Sequence, residues 1–570
     1  MPTEHTYPPL GRWRAGDCPP EPLTQALAAA LLDLRRPVYI VERDGRLAVA
    51  AAGTAEIGGG AAHANGSLPL RAYVPALPPS ALGDPAFKAE RGLEYAYVVG
   101  EMANAITSVE MVTQAGTAGM LGFFGAGGLV PAQVEEAVDR LQQLRPRIAF
   151  GVNLIHSPGN PELEMALVDM FLRRGVRLVS ASAFVEPTLA LTYYRVKGLR
   201  READGGIVRP HTVVGKVSRV EVARKFLSPP PPRLVAQLLE RGLIDRGEAE
   251  LAGAVPLVED LTAEADSGGH TDNRPAITLL PTMIALRDEL CAANGFRRPP
   301  CIGLGGGIAT PQAVAAAFAL GAAYVLTGSI NQCCAEAGTS EAVCSMLAEA
   351  GQADVAMAPS ADMFELGVKV QVLKRGTMFP YRAAKLYELY AAHEAYDRIP
   401  ARQREALERD LLRCTFEQEW EQTRRFFQQR DPRQVDRAEK DPKHKMALVF
   451  RSYLGRASTW AIAGEPTRRI DYQIWCGPAM GAFNQWARGS CLERPENRRT
   501  VAVAMNLMYG AAVATRAAWL RAQGVPIPPG ADAMRPMELT EIRARLAEDA
   551  GTAAAPAALP AREARTRGIA

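Results

Sequence analysis

Between Tyr95 and Asn331 short apolar runs, several of them ending in glycine, keep returning, with a helical pattern after most of them. Candidate strands lie at 96–100, 121–125, 148–154, 178–183, 212–217, 257–263, 301–304 and 323–327, and helical patterns include 131–144, 161–173, 220–226, 277–292 and 311–319. Pro131 and Pro311 suit a first helical turn, where a missing N–H costs nothing. Eight strands alternating with helices over about 240 residues have the count and length of an α/β (β/α)8, TIM-type barrel. An open doubly wound sheet is the alternative. In a barrel, all eight strands end at one mouth, and chemistry is assembled there.

The flanks follow other rules. Residues 1–90 read as a small unit with a hairpin, two apolar runs meeting at Asp44-Gly45. The Gly/Ala/Pro-rich stretch after it predicts a segment that wraps another domain rather than building a core. The barrel unit is expected over 91–395. Pro229 to Pro232 opens a helix-rich rim insertion at about 228–254, the prolines acting as a stiff connector. After Asn331 the chain reads as largely helical, with one long charged amphipathic stretch at 402–429 and a more apolar one at 498–523. A helical lid or substrate subdomain is expected over 396–525. The Ala/Pro/Arg tail at 550–570 predicts disorder.

Composition removes several classes. With 65 basic and 62 acidic residues the net charge is +3, so no global field points to nucleic acid or a membrane. Nine scattered cysteines without framework spacing argue for reduced thiols and a cytoplasmic protein. No Cys or His pair has zinc spacing. The N-terminus lacks a signal-type apolar segment, and runs such as 312–323 are too short to cross a bilayer. The basic pairs, among them Arg298 and Arg498 with their neighbours, read mostly as solvated faces, a subset of which could dock an acidic partner.

Candidate chemistry gathers at the strand ends. Gly305, Gly306 and Gly307 end strand seven, and Gly328 and Ser329 end strand eight. Barrel phosphate sites form after these strands, beside a helix N-terminus, although glycines can also simply turn a chain. His270, after Gly268 and Gly269 at the end of strand six, titrates near neutrality and has Asp266 and Asp272 as sequence neighbours. Asn153 interrupts an apolar run, where it either meets a cofactor ring or closes a loop through a backbone bond. Lys216 either neutralises a ring carbonyl or phosphate, or is a surface lysine. The Met102–Ala103 segment permits close approach of a flat ring, or merely packs.

These pieces resemble the FMN-dependent flavoproteins that include nitronate monooxygenases and flavin enoyl-acyl-carrier-protein reductases. The matching runs are FGVNL (150–154), EADSGGH (264–270), GLGGGIATPQAV (303–314) and VLTGS (325–329). Within that group the chain is similar to the PfaD branch of trans-acting enoyl reductases of polyketide and polyunsaturated fatty acid synthases. That likeness rests on VSASAFVEPTLALTYYRVKGL (179–199), PSADMFELGVKVQVLKRGTMFPYRA (359–383), DPKHKMALVFRSYLG (441–455) and DYQIWCGPAMGAFN (471–484). The resemblance implies a barrel that binds FMN without a covalent bond. Gly305 to Gly307, Gly328 and Ser329 would be on its phosphate, and Met102, Ala103 and Asn153 along its ring. It implies NADPH as reductant, His270 as catalytic residue and acyl-carrier-bound enoyl thioesters as substrate, and it allows a homodimer. Here DSG precedes Gly269-His270 where EAG is commoner, so local hydrogen bonding need not follow the wider group. Two other readings of the same residues are a nitronate monooxygenase and a non-catalytic flavin-binding scaffold of a megasynthase.

Overall fold

The computed structural model describes residues 8–547 except 17, 59–65 and 158; the expected tail at 550–570 lies outside them. Eight parallel strands close into a barrel: Tyr97–Val99, Leu121–Phe124, Phe150–Ile155, Leu178–Ser182, Thr212–Val217, Asp260–Glu264, Cys301–Gly305 and Val325–Thr327. The open-sheet alternative is therefore excluded. The strands are buried runs because helices cover the outside and side chains fill the inside. The N-terminal end is plugged by Phe87, from helix Pro85–Arg91, stacked on Tyr324 with ring centroids 4.3 Å apart. Polar side chains replace this apolar filling toward the mouth.

The eighth barrel helix comes from far along the chain. After strand eight the chain leaves for some 170 residues and returns as helix Thr500–Ala522, which packs on Pro311–Ala319 and Val109–Thr117, the helices that follow strands seven and one. Gly510 permits this packing, since a Cβ there would lie 2.6 Å from Pro311. Thr500 donates its backbone N–H and hydroxyl to Glu336, each at 3.0 Å, which places a carboxylate at the positive helix end. The helix is apolar on nearly every face, and by length and composition alone it could cross a membrane, contrary to the sequence reading. In the fold, 83% of its apolar window is buried. It is a barrel helix, not the part of a lid that the sequence suggested.

The N-terminal unit builds a core of its own, which corrects the expectation of a wrapping segment. Six strands form an antiparallel sheet around Trp13, Val41 and Leu70. Its helix Leu23–Leu32 leans on the eighth barrel helix, where buried Arg516 donates to the carbonyls of Leu31 (3.0 Å), Asp33 (2.7 Å) and Arg36 (2.7 Å). Burial draws this guanidinium down to about 10, yet it stays charged at neutrality. The Leu31 and Asp33 carbonyls belong to the helix end, which leaves its last carbonyls without partners in the helix, and Arg36 follows just beyond it. Arg516→Met is expected to lower unfolding free energy by about 3 kcal/mol, read by urea titration, because it strands several acceptors at once.

Two further expectations change. The insertion after Pro229 forms helices Pro232–Glu240 and Arg246–Ala252. It rejoins where Leu257 N–H donates to the Ser228 carbonyl, ahead of strand six, so it lies at the end opposite the mouth. The 402–429 stretch is not one helix. Arg413 takes a left-handed φ of 59°, and Thr415 then caps helix Phe416–Arg430 through a box with Gln418. The basic pairs also divide, for Arg498 is buried and donates to the carbonyls of Leu492 and Glu493, while Arg298 pairs with Glu259 at the foot of strand six.

Candidate active site

Between strand eight and its helix the chain builds a cap over the barrel mouth. Helices Phe379–Ala392, Phe416–Arg430 and Pro442–Ala463 share a core around Phe364, Trp420 and Phe450. Two strands that the helical reading missed, Val355–Pro359 and Lys369–Leu373, pair with each other, and Lys369–Leu373 also pairs with Gly269–His270. His270 is therefore not on strand six. It lies beyond that strand's end, hydrogen-bonded into a cap sheet.

A cavity of about 870 Å³ lies between mouth and cap. Met102, Ala103, Lys216, Gly268, Gly269, His270, Gly305, Gly306, Gly307, Gly328 and Ser329 all line it. Asn153 does not. It sits one layer deeper, donating to the Ser180 carbonyl (3.2 Å) and the Ser182 hydroxyl (2.8 Å).

The floor on the side of strands seven and eight is shaped for an anion. Gly306 and Gly307 take φ of +85° and +74°, which glycine alone adopts freely. Among the described residues no acceptor faces the N–H groups of Gly306, Gly307, Gly328 or Ser329. A Cβ on Gly307 or Gly328 would meet nothing, so both face open space. The Ser329 oxygen accepts from Gly477 N–H at 3.2 Å, leaving its own proton to donate. Helix Pro311–Ala319 starts beside them, capped by Thr310. Four unpaired N–H groups and a hydroxyl at two strand ends fit the phosphate of a nucleotide-like cofactor.

The opposite floor carries charge. Lys216 Nζ lies 3.1 Å from Glu101 and 3.3 Å from Glu264, at the ends of strands five, one and six. Burial would lower the lysine's pKa, but the two carboxylates carry it above the usual lysine range. Burial likewise pushes Glu264 up, against the pull of Lys216. Lys216 is thus a paired, mostly buried cation rather than a surface lysine. Glu101 also accepts from the Ser180 hydroxyl at 2.9 Å. Beside this group the loop after strand one takes left-handed φ at Asn104 and Ala105, a cost met by close packing on Gly125, Gly127 and Gly128.

His270 has different partners from those its sequence neighbours suggested. Its Nε2 lies 3.2 Å from Ser360 Oγ and 3.2 Å from Asp362 Oδ1, both on the cap. Asp272 instead pairs with Arg219, and Asp266 accepts from Asn273 and Gln371. Burial alone would lower the imidazole pKa, but Asp362, with help from Glu264, raises it above the ordinary histidine value. The same contact, opposing burial, holds Asp362 well below the usual carboxylate range. Asp362 lies within the 359–383 run, yet sequence reasoning does not single it out, because no local spacing joins residues 270 and 362.

Gly268 serves the cap as much as the cavity. A Cβ there would lie 2.9 Å from Cys476 N, on the segment whose Trp475 bridges to Val372. Gly268→Ala is expected to cost about 1–3 kcal/mol, seen as a lower melting temperature, because backbone must move to admit the methyl group. The cap's inner wall is formed by Phe426, Phe427, Ser452, Gly455 and Trp475.

Residues 90–410 match the family model described as nitronate monooxygenase, and 393–472 match that of the inserted helical domain of acyl-carrier-protein S-malonyltransferase. The chain is similar to one of the polyunsaturated fatty acid synthase subunits of Thraustochytrium sp., 46% identical over 72% of this chain and 28% of that protein. It is 44% identical to polyketide biosynthesis protein PksE of Bacillus subtilis over 76% of this chain and 56% of that one. It therefore spans about half or less of the length of these curated relatives. Among solved structures, the enoyl reductase domain of MlnA, from the macrolactin biosynthesis cluster of Bacillus amyloliquefaciens, is 37% identical. That match has a TM-score of 0.75 and covers 78% of this chain and 100% of that one.

Proposed function

We infer that this chain, which belongs to the nitronate monooxygenase family and within it to the PfaD branch of enoyl reductases, reduces the 2,3 double bond of enoyl thioesters on an acyl carrier protein. The observation that carries this reading is a histidine held to a cap carboxylate, on the wall of a cavity whose floor ends in unpaired backbone N–H groups. In this reading Gly305 to Gly307, Gly328 and Ser329 bind the FMN phosphate, and Lys216 faces the ring's electron-rich edge, flanked by Met102 and Ala103. Asn153 supports that wall from beneath. FMN, recharged by NADPH, would supply the hydride that adds to the β-carbon.

The protein's own task is then the oxygen and the α-carbon. Negative charge grows on the thioester oxygen as the β-carbon is attacked, and a positioned cation stabilises it most where water is excluded. His270, protonated because of Asp362, is that cation. With Nε2 committed to the cap, Nδ1 is the atom left to give up a proton. The cap walls the channel for the acyl-pantetheine arm, and the chain works in the cytoplasm with its carrier protein.

The purified protein with FMN, NADPH and crotonyl-carrier protein tests this. Reduction to the butyryl thioester is expected. Oxidation of a nitronate without enoyl reduction would favour the nitronate monooxygenase reading, and neither activity in a flavin-loaded protein would favour a scaffold.

A further inference from the structure

Asp362 sits on a turn between two cavities, both of which it lines. A second cavity of about 450 Å³ opens on the far side, lined by Met363, Glu365 and His444 among others. Phe364 anchors one end of the turn in the cap core and the Ser360 hydroxyl donates to the Asp362 carboxylate. The backbone on either side of Asp362 is held by one side chain on helix Pro442–Ala463. Arg451 Nε donates to the Ala361 carbonyl at 2.8 Å, its Nη1 lies 3.1 Å from Glu365, and its Nη2 reaches the Asp362 carbonyl at 3.5 Å. It grips the turn on both sides of the carboxylate that meets His270. A guanidinium can do this because its donors are fixed in one plane, and an ammonium cannot.

We propose that Arg451 is a positioning residue, which sets Asp362 against His270 so that a cap helix governs the proton chemistry at the cavity wall. This rests on the reading of His270 as proton donor and adds a control exerted from the cap. The charged groups facing His270 are Asp362 from the turn, Glu264 from strand six and Lys216 from strand five. Arg451 bonds the backbone of the turn and also lines the large cavity. As a cation, its removal should by Coulomb's law alone raise the imidazole pKa. As the support of Asp362, its removal should lower it. The two roles predict opposite signs.

The test is the titration of His270 in the full-length protein, by NMR of ring-labelled histidine, with the resonance assigned through His270→Gln. Arg451→Gln is expected to lower the pKa by about one unit, the low end of what an adjacent opposite charge contributes. Asp362→Asn should lower it at least as much. Arg451→Lys, which keeps the charge but not the fork, should fall between. An unchanged or raised pKa in Arg451→Gln overturns the proposal. Should that variant not fold, a wild-type value in Arg451→Lys overturns it equally. The pH profile of enoyl reduction should shift the same way. If His270→Gln leaves reduction intact, the functional reading fails, while the titration still decides what Arg451 does.

Discussion

Replacing His270 with glutamine is expected to slow enoyl-thioester reduction by at least about 100-fold while FMN remains bound, the low end of what a positioned acid contributes. The measurement is single-turnover reduction of crotonyl-carrier protein alongside the flavin spectrum of the same sample. The pH dependence carries its own sign. Asp362 raises the imidazole pKa above its ordinary value against the cost of burial, and the working form is the protonated one. Turnover should therefore fall as pH rises through that raised pKa, at a higher pH than an ordinary histidine would give. The same shift is a stability statement, because the native state holds the proton more tightly than the unfolded chain. Its contribution is fully present below the unfolded histidine pKa and is lost as pH rises through the folded one. His270→Gln should remove that part of the pH dependence of stability, and a rate loss under about threefold would leave His270 without its assigned role.

The second large effect is expected at Gly307. A Cβ there would meet no protein atom within 4 Å, and Gly307's own N–H is one of the unpaired ones that line this side of the cavity. Gly307→Val should therefore weaken FMN binding by about 100-fold or more. The left-handed backbone adds a strain of about 1–2 kcal/mol, too small to unfold a barrel of this size. Flavin content after desalting, flavin fluorescence titration and a circular-dichroism melt would separate the two effects. A folded variant that retains full FMN affinity would mean the phosphate lies elsewhere. Gly306 makes a poorer probe, since a Cβ there would press on the Ala265 backbone at 2.6 Å and confuse binding with folding.

The barrel was legible because local rules repeat eight times within it. Apolar runs of strand length, prolines at first helical turns and glycines at strand ends are all signals within about ten residues of one another. The glycine-lined side of the cavity floor was legible for the same reason, since Gly305 to Gly307 and Gly328-Ser329 end consecutive strands. His270 was legible as a residue but not in its setting. Its sequence neighbours Asp266 and Asp272 are turned to Asn273, Gln371 and Arg219, and its true partner lies 92 residues on.

The break in the 402–429 stretch is readable in principle, as Thr415-x-x-Gln418 is a capping-box pattern. The amphipathic period on either side of it masks the stop. Strands Val355–Pro359 and Lys369–Leu373 escape a sequence reading because helical patterns surround them on both sides. Helix Thr500–Ala522 shows the opposite failure. Its uniform apolarity says that it is buried, but periodicity cannot say against what.

What the sequence determined by itself is the eight strand–helix repeats and the two loops that could cradle a phosphate, while closure into a barrel rather than an open sheet was settled by the fold. The repeats and loops follow from interactions between residues close in the chain, which leave a pattern in it. What only the tertiary structure decided is the cap's share of the site: Asp362 and Ser360 on His270, Arg451 on their turn, and a distant helix completing the barrel. Those contacts join residues tens to hundreds of positions apart, and they exist only because the chain leaves the barrel after strand eight and returns. No spacing in the sequence records that excursion.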